Sequence, residues 1–345
     1  MRFSDPSALA VGASRGSTRG SRGPARFTIG KPGLRLAWGV STDVFERVER
    51  ATPPAAALAV AVVAVSTSAI LVRWSVAPSL VTAFYRVLFT TALLAPLAFT
   101  RHRGAFGRLS RRDLLLASAA GVALALHFAS WFESLRWTSV AASVTLVQSQ
   151  VLFVAAGGAF LLGERVGRRT ALGIIVALAG IAVMSVGDSL AGTLAGAAPL
   201  YGNALALVGA VCAAGYVLAG RLLRQRVALV PYVLVVYAVC TAILFALAAA
   251  AGEALLAYPA REWLLFLGMA VGPGLFGHTV LNWALAHVES SVVSVSLLGE
   301  PVGSALLAVL LLAEVPSAVT VAGGAVVLAG IAVTARARSV RDVPS

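Results

Sequence analysis

Most of this chain is too apolar to do chemistry, so the few ionisable and amide side chains inside its apolar runs stand out. Arg86 lies within the run 79–100, with Thr82 and Thr90 four residues to either side and so on one helical face. At 1.5 Å per residue it sits about 10 Å below the edge of that run. A cation there could anchor a carboxylate or phosphate on a ligand. The alternatives are a structural ion pair with Glu300 or Glu133, or snorkelling to the surface. Glu300 lies near the middle of the run 290–312. An ionisable group at the bilayer centre costs roughly 2.5–3.5 kcal/mol, so Glu300 is not expected to face lipid. It could bind substrate or carry a proton, or it could be a buried carboxylate that cross-links helices. Pro301 frees a backbone carbonyl beside it, and Gly299 and Gly303 form a G-x-x-x-G pair that lets another helix approach closely.

Two histidines occupy nearly matching places: His127 and His278 are 151 residues apart. Each has a companion one turn on, Trp131 after His127 and Asn282 after His278. Both could face a cavity and bind substrate or protons; the alternative is a hydrogen-bonded packing histidine. Gly272-Pro273-Gly274 is expected to break the helix just before His278, and carriers expose backbone to ligand at such breaks. His127 reads more simply as packing. Gln148, Gln150, Thr145, Tyr216 and Tyr237 are further lining candidates. The sequence has no His/Cys metal spacing and no nucleotide loop, since Pro32 follows Gly30-Lys31, and its apolar runs hold no G-x-S-x-G. Cys212 and Cys240 both lie in apolar runs and read as buried thiols. No cofactor is implied.

The elements that must hold these residues are membrane helices. Hydrophobic residues make up 59% of the 345 and charged residues only 12%, against about a quarter in soluble domains. The net charge of +13 does not indicate nucleic-acid binding, because the arginines lie between apolar runs and in an N-terminal tail. Residues 1–53, with nine basic and four acidic residues among Gly, Ser and Pro, are expected to be a disordered basic tail. Ten runs of about 20 residues follow, each able to cross a ~30 Å core. They are 54–73, 79–100, 113–134, 139–162, 169–188, 200–220, 228–250, 262–285, 290–312 and 316–335.

These runs form two copies of one unit. Leu178-Ala179-Gly180-Ile181-Ala182-Val183 returns unchanged at 328–333, and Gly173 matches Gly323 and Glu164 matches Glu314 at the same offset. The halves are 54–188 and 200–335, with a short tail from 336 to 345. Five spans per half is an odd number, so the halves are expected to insert in opposite directions. Arginines concentrate in the loops after spans 2, 4 and 6 and in the C-terminal tail, which places those loops and both termini in the cytoplasm. The matching turns agree: Arg165, Arg168 and Arg169 follow Glu164, and none follows Glu314. Inverted repeats place a cavity near the bilayer midplane.

The ending Phe160-Leu161-Leu162-Gly163-Glu164-Arg165 resembles the "LGE" signature of the EamA family in the drug/metabolite transporter superfamily. Leu298-Gly299-Glu300-Pro301-Val302, followed by Leu311-Leu312-Ala313-Glu314, resembles the family's "EPV…LGE" run, with Ala313 in the Gly place. The resemblance spans about 54–335. It implies an all-α integral membrane protein, a ten-helix inverted-repeat carrier of the inner membrane that often exports amino acids or other small metabolites. The first half has Gln150-Val151 where the second has Glu300-Pro301, so a proline kink is expected in span 9 and not in span 4.

The expected protein is thus a secondary transporter, not an enzyme, exporting a small polar metabolite by alternating access. Arg86, His278, Asn282 and Glu300 would line its cavity, with His127, Trp131, Gln150 and Tyr216 as further contacts. Its partners are a small-molecule substrate and the bilayer, with a proton the candidate coupling ion and either monomer or homodimer as the assembly. The competing readings are a scaffold or sensor, and a membrane-embedded enzyme on lipid-linked substrates. The mid-membrane positions of Arg86 and Glu300 disfavour the enzyme.

Overall fold

The computed structural model describes residues 54–101, 103–163, 166–187, 196–223, 226–280 and 296–339. These residues are helical, with no strand among them. The helices are α1 (Pro54–Trp74), α2 (Ser79–Arg101), α3 (Arg111–Trp137), α4 (Val140–Val147), α5 (Gln150–Leu162) and α6 (Arg168–Ala182). They continue as α7 (Pro199–Leu223), α8 (Leu229–Ala250), α9 (Ala260–Met269), α10 (Gly299–Leu312) and α11 (Ala318–Ser339). Eight helices are long and apolar enough to cross a membrane, α4 and α5 counting as one, and α10 is a shorter apolar helix. Ten expected spans are therefore not all seen. The runs 262–285 and 290–312 both enter 281–295, which lies outside the described residues.

Local chemistry sets the ends. Ser110 begins α3 with a capping box, its hydroxyl accepting from the Asp113 N–H while the Asp113 carboxylate accepts from the Ser110 N–H. Ser139 caps α4 by accepting from the Ala142 N–H. The two LGE-type turns adopt the same left-handed C-cap: Gly163 has φ 68° and Ala313 has φ 53°. Each cap N–H bonds back into its helix, to the Gly158 and Ala308 carbonyls.

Two local expectations need correction. The fourth span does break, between α4 and α5, without a proline. Ser149 N–H donates to the Leu146 carbonyl and Val151 N–H to that of Gln148, a tightened i→i+3 turn, and the Ser149 hydroxyl also donates to the Leu146 carbonyl. The second half tightens at the matching place, where Glu300 N–H donates to the Leu297 carbonyl. Conversely, Gly272-Pro273-Gly274 does not interrupt its helix. α9 runs directly into a π-wound stretch, Ala270–Thr279, which accommodates Pro273 by widening the turn.

Packing pairs each helix with a partner and repeats the pairing in the other half. α3 lies against α7, and the π-wound stretch lies against α1. α5 lies against α7, and α10 against α1. α2 packs on α8 and α6 on α11, so those helices meet their own counterparts. The first helix of each half is thus clasped by the other half. Gly299 and Gly303, the expected close-approach pair, meet Val62 and Ser66 of α1. There the Ser304 hydroxyl donates to the Ser66 carbonyl at 3.1 Å, while the Ser66 hydroxyl donates to the Val62 carbonyl of its own helix at 2.8 Å and lies 3.4 Å from the Glu300 carbonyl.

Candidate functional site

The matched pair α2 and α8 brings together two residues 151 apart in sequence, Arg86 and Tyr237, on one small internal cavity. Val87, Thr90, Phe128 and Gly274 complete its lining. Its volume is about 20 Å³, room for roughly one water.

Arg86 is only 3% exposed. One guanidinium nitrogen donates to the Ser68 hydroxyl of α1 at 2.9 Å. Its carbon lies 4.6 Å from the ring centre of Phe128 and 5.4 Å from that of Phe132. Those faces attract a desolvated cation but do not neutralise it. Neither suggested ionic partner makes a direct ion pair with it, although Glu300 is near enough to act on it through space. Glu133 accepts from the Trp137 indole N–H at 2.6 Å, and Glu300 accepts from the Gln148 amide at 2.7 Å. Among the described residues the ion pairs are Arg73–Glu314 and Arg226–Asp113, and Arg86 belongs to neither. A buried charge without a direct counter-ion is costly unless something else balances it.

The other expected residues fall into three groups. Glu300 is joined through Gln148 to Gln150, whose amide donates to the Gln148 carbonyl oxygen at 3.2 Å, so three candidates form one hydrogen-bonded chain. His127 and Trp131 face α7. His127 Nδ1 lies 2.9 Å from the Gly209 carbonyl oxygen, which can only accept, so Nδ1 carries the proton. The imidazole stacks on Trp131, with ring centres 5.7 Å apart. The Trp131 indole N–H is buried without a partner among the described residues. Tyr216 of α7 is half-buried against the main core. His278 belongs by its backbone to the π-wound stretch, and Asn282 lies outside the described residues.

Sequence reasoning missed Ser68, Phe128 and Phe132. The signal for the pair was available, since two aromatics four residues apart share one face of α3. Glu262, the first residue of the run 262–285, is 0% exposed. Its carboxylate accepts from the Ser75 hydroxyl at 2.5 Å and from the Val76 N–H at 3.3 Å, tying α9 to the α1–α2 turn.

A membrane-crossing helical chain of two like halves, with one buried cation in a cavity where their matched helices meet, has the build of a small-molecule transporter and not of an enzyme. The chain belongs to the EamA-like transporter family, whose model matches residues 53–186 and again 200–336. It is 28% identical over 242 residues to the pseudopaline exporter CntI of Pseudomonas aeruginosa, in strains UCBPP-PA14 and PAO1 alike; the match covers 70% of this chain and 82% of the relative. A protein of known crystal structure shares the fold, with a TM-score of 0.56 and 23% identity over 81% of this chain and 96% of its own.

Proposed function

We propose that the protein is a secondary transporter of the cytoplasmic membrane that exports a small polar metabolite bearing a carboxylate or phosphate. The two inverted five-helix repeats alternate access to the Arg86 cavity, and the arginine-rich loops and both termini face the cytoplasm. The observation that carries this reading is Arg86 itself: a buried guanidinium on a cavity, held by a serine and two aromatic faces, with no carboxylate at ion-pair distance among the described residues. A substrate oxyanion would supply the missing charge and accept the remaining N–H donors in bidentate fashion. Glu300, on its chain with Gln148 and Gln150, is the candidate proton carrier, and Tyr237, His278, Asn282, His127, Trp131 and Tyr216 are candidate contacts. Small polar metabolites such as amino acids fit the description, and pseudopaline, named for the relative, is a natural first ligand.

The test is thermal denaturation of purified protein with added amino acids, phosphorylated metabolites, sugars and polyamines. A ligand at a hundred times its Kd stabilises the native state by about 2.7 kcal/mol. Oxyanion-bearing compounds should stabilise the wild type, Arg86→Lys should retain part of the effect, and Arg86→Ala should lose it. Equal stabilisation of all three proteins would remove Arg86 from the site.

A further inference from the structure

Among the described residues two ion pairs join the first repeat to the second, one at each end of α3. At the C-terminal end, Glu314 follows the left-handed turn that closes α10. One of its carboxylate oxygens accepts from Arg73 of α1 at 2.9 Å, and the other accepts from the Val140 N–H that opens α4. The same Arg73 donates to the Leu135 carbonyl near the end of α3 at 2.6 Å. At the N-terminal end, Asp113 accepts from Arg226 of the α7–α8 turn at 2.7 Å. From Asp113 to Leu135 the helix rises about 33 Å, close to the thickness of the hydrocarbon core. Phe128 and Phe132, which face Arg86, lie between the two pairs on the same helix.

Resting on the alternating-access reading above, we infer that these pairs are the two latches of the transport cycle, each released in turn to open the cavity on its own side. With both closed, the cavity beside Arg86 has a volume of about 20 Å³. Both latches can open at modest expense, because they are partly solvent-exposed. The side chains of Arg73 and Glu314 are 31% and 15% exposed, and those of Arg226 and Asp113 are 46% and 11% exposed, so water can take over their hydrogen bonds. Along α1, Arg73 is about 7.5 Å from Ser68, the partner of Arg86, so parting the repeats at Arg73 leads straight to the site. Glu314 and Arg226 act as positioning residues here, touching no substrate.

The experiment uses the full chain with Cys212→Ser and Cys240→Ser and a reporter, Thr90→Cys, in the cavity wall. A membrane-impermeant maleimide is applied to intact cells and to inverted membrane vesicles, with no substrate needed. Glu314→Gln should raise labelling in intact cells only, and Arg226→Gln in inverted vesicles only, each by about fivefold or more. Arg73→Gln should match Glu314→Gln, and the double variant should add little, since both break one contact. Labelling raised from both faces by either variant would mean general loosening, and no rise in a protein that still melts at the parental temperature would mean a plain brace; either result overturns the inference. Rises on opposite faces but in the reverse assignment would uphold the latches and overturn the proposed orientation.

Discussion

The seam between α6 and α11 gives a prediction whose sign can be worked from distances. Gly180 of α6 and Gly330 of α11 stand where the two backbones nearly touch. A Cβ on Gly180 would lie 2.6 Å from the Val327 nitrogen and 2.7 Å from the Gly323 oxygen. On Gly330 it would lie 2.5 Å from the Ala177 nitrogen and 2.6 Å from the Gly173 oxygen. Ordinary contact begins near 3.4 Å. These are backbone atoms, so no side chain can swing away and the helices must part by roughly 0.8 Å locally, forfeiting a good share of the dispersion contact along the seam. Overpacking of this kind costs about 1–3 kcal/mol. Alanine also helps any helix interior by about 1 kcal/mol over glycine, which would blur a single measurement. Gly215 of α7 removes that term: a Cβ there meets only the Ala123 Cβ, at an ordinary 3.8 Å. Gly180→Ala should therefore be about 1–3 kcal/mol less stable than Gly215→Ala, and Gly330→Ala likewise. Unfolding by SDS titration in mixed micelles, followed by tryptophan fluorescence, measures the difference. A gap below about 0.5 kcal/mol would show that the seam yields freely and that its glycines are not there for close approach.

Two further substitutions follow from the geometry. Ala313 occupies the left-handed region at φ 53°, where an L-residue pays about 1–2 kcal/mol, so Ala313→Gly should stabilise the protein by up to about 1 kcal/mol after the added chain entropy; the same titration would show no gain if the turn is already relaxed. His127→Phe should remove the side-chain donor to the Gly209 carbonyl and destabilise by about 1–3 kcal/mol and, with His127 a cavity contact, also weaken ligand binding in isothermal titration; a loss of stability at unchanged affinity would make His127 a packing residue only.

The helical membrane architecture was legible because hydrophobic length is a direct physical requirement of the bilayer, and the duplication because identical segments recur at fixed offset. Arg86 stood out for the same reason: a charge in an apolar run has few places to go. What the sequence could not show was pairing. Nothing in Glu133 or Glu300 says that one caps a tryptophan and the other binds Gln148, leaving Arg86 without a direct ion pair to either. The proline rule misled at Gln150, because backbone can tighten through a serine hydroxyl as well as through a missing N–H. It misled again at Pro273, where a π-wound turn absorbs the residue without a break. The burial of Glu262 was likewise not legible, because the covering α1–α2 turn exists only in the folded chain.

The clasp of α1 by the far half also bears on how the protein is made. Ser66 bonds to residues 234 and 238 positions later in the chain. At a synthesis rate of roughly 5–20 residues per second, α1 waits on the order of 10–50 seconds after leaving the ribosome before α10 exists to receive it. During that interval the Ser66 hydroxyl can rest on the Val62 carbonyl of its own helix, but the face of α1 that α10 will cover has only lipid, early partners such as α2 and α3, or the insertion machinery against it. Biogenesis of this chain therefore ends with its first helix, which is fixed in place only when nearly the last has been translated.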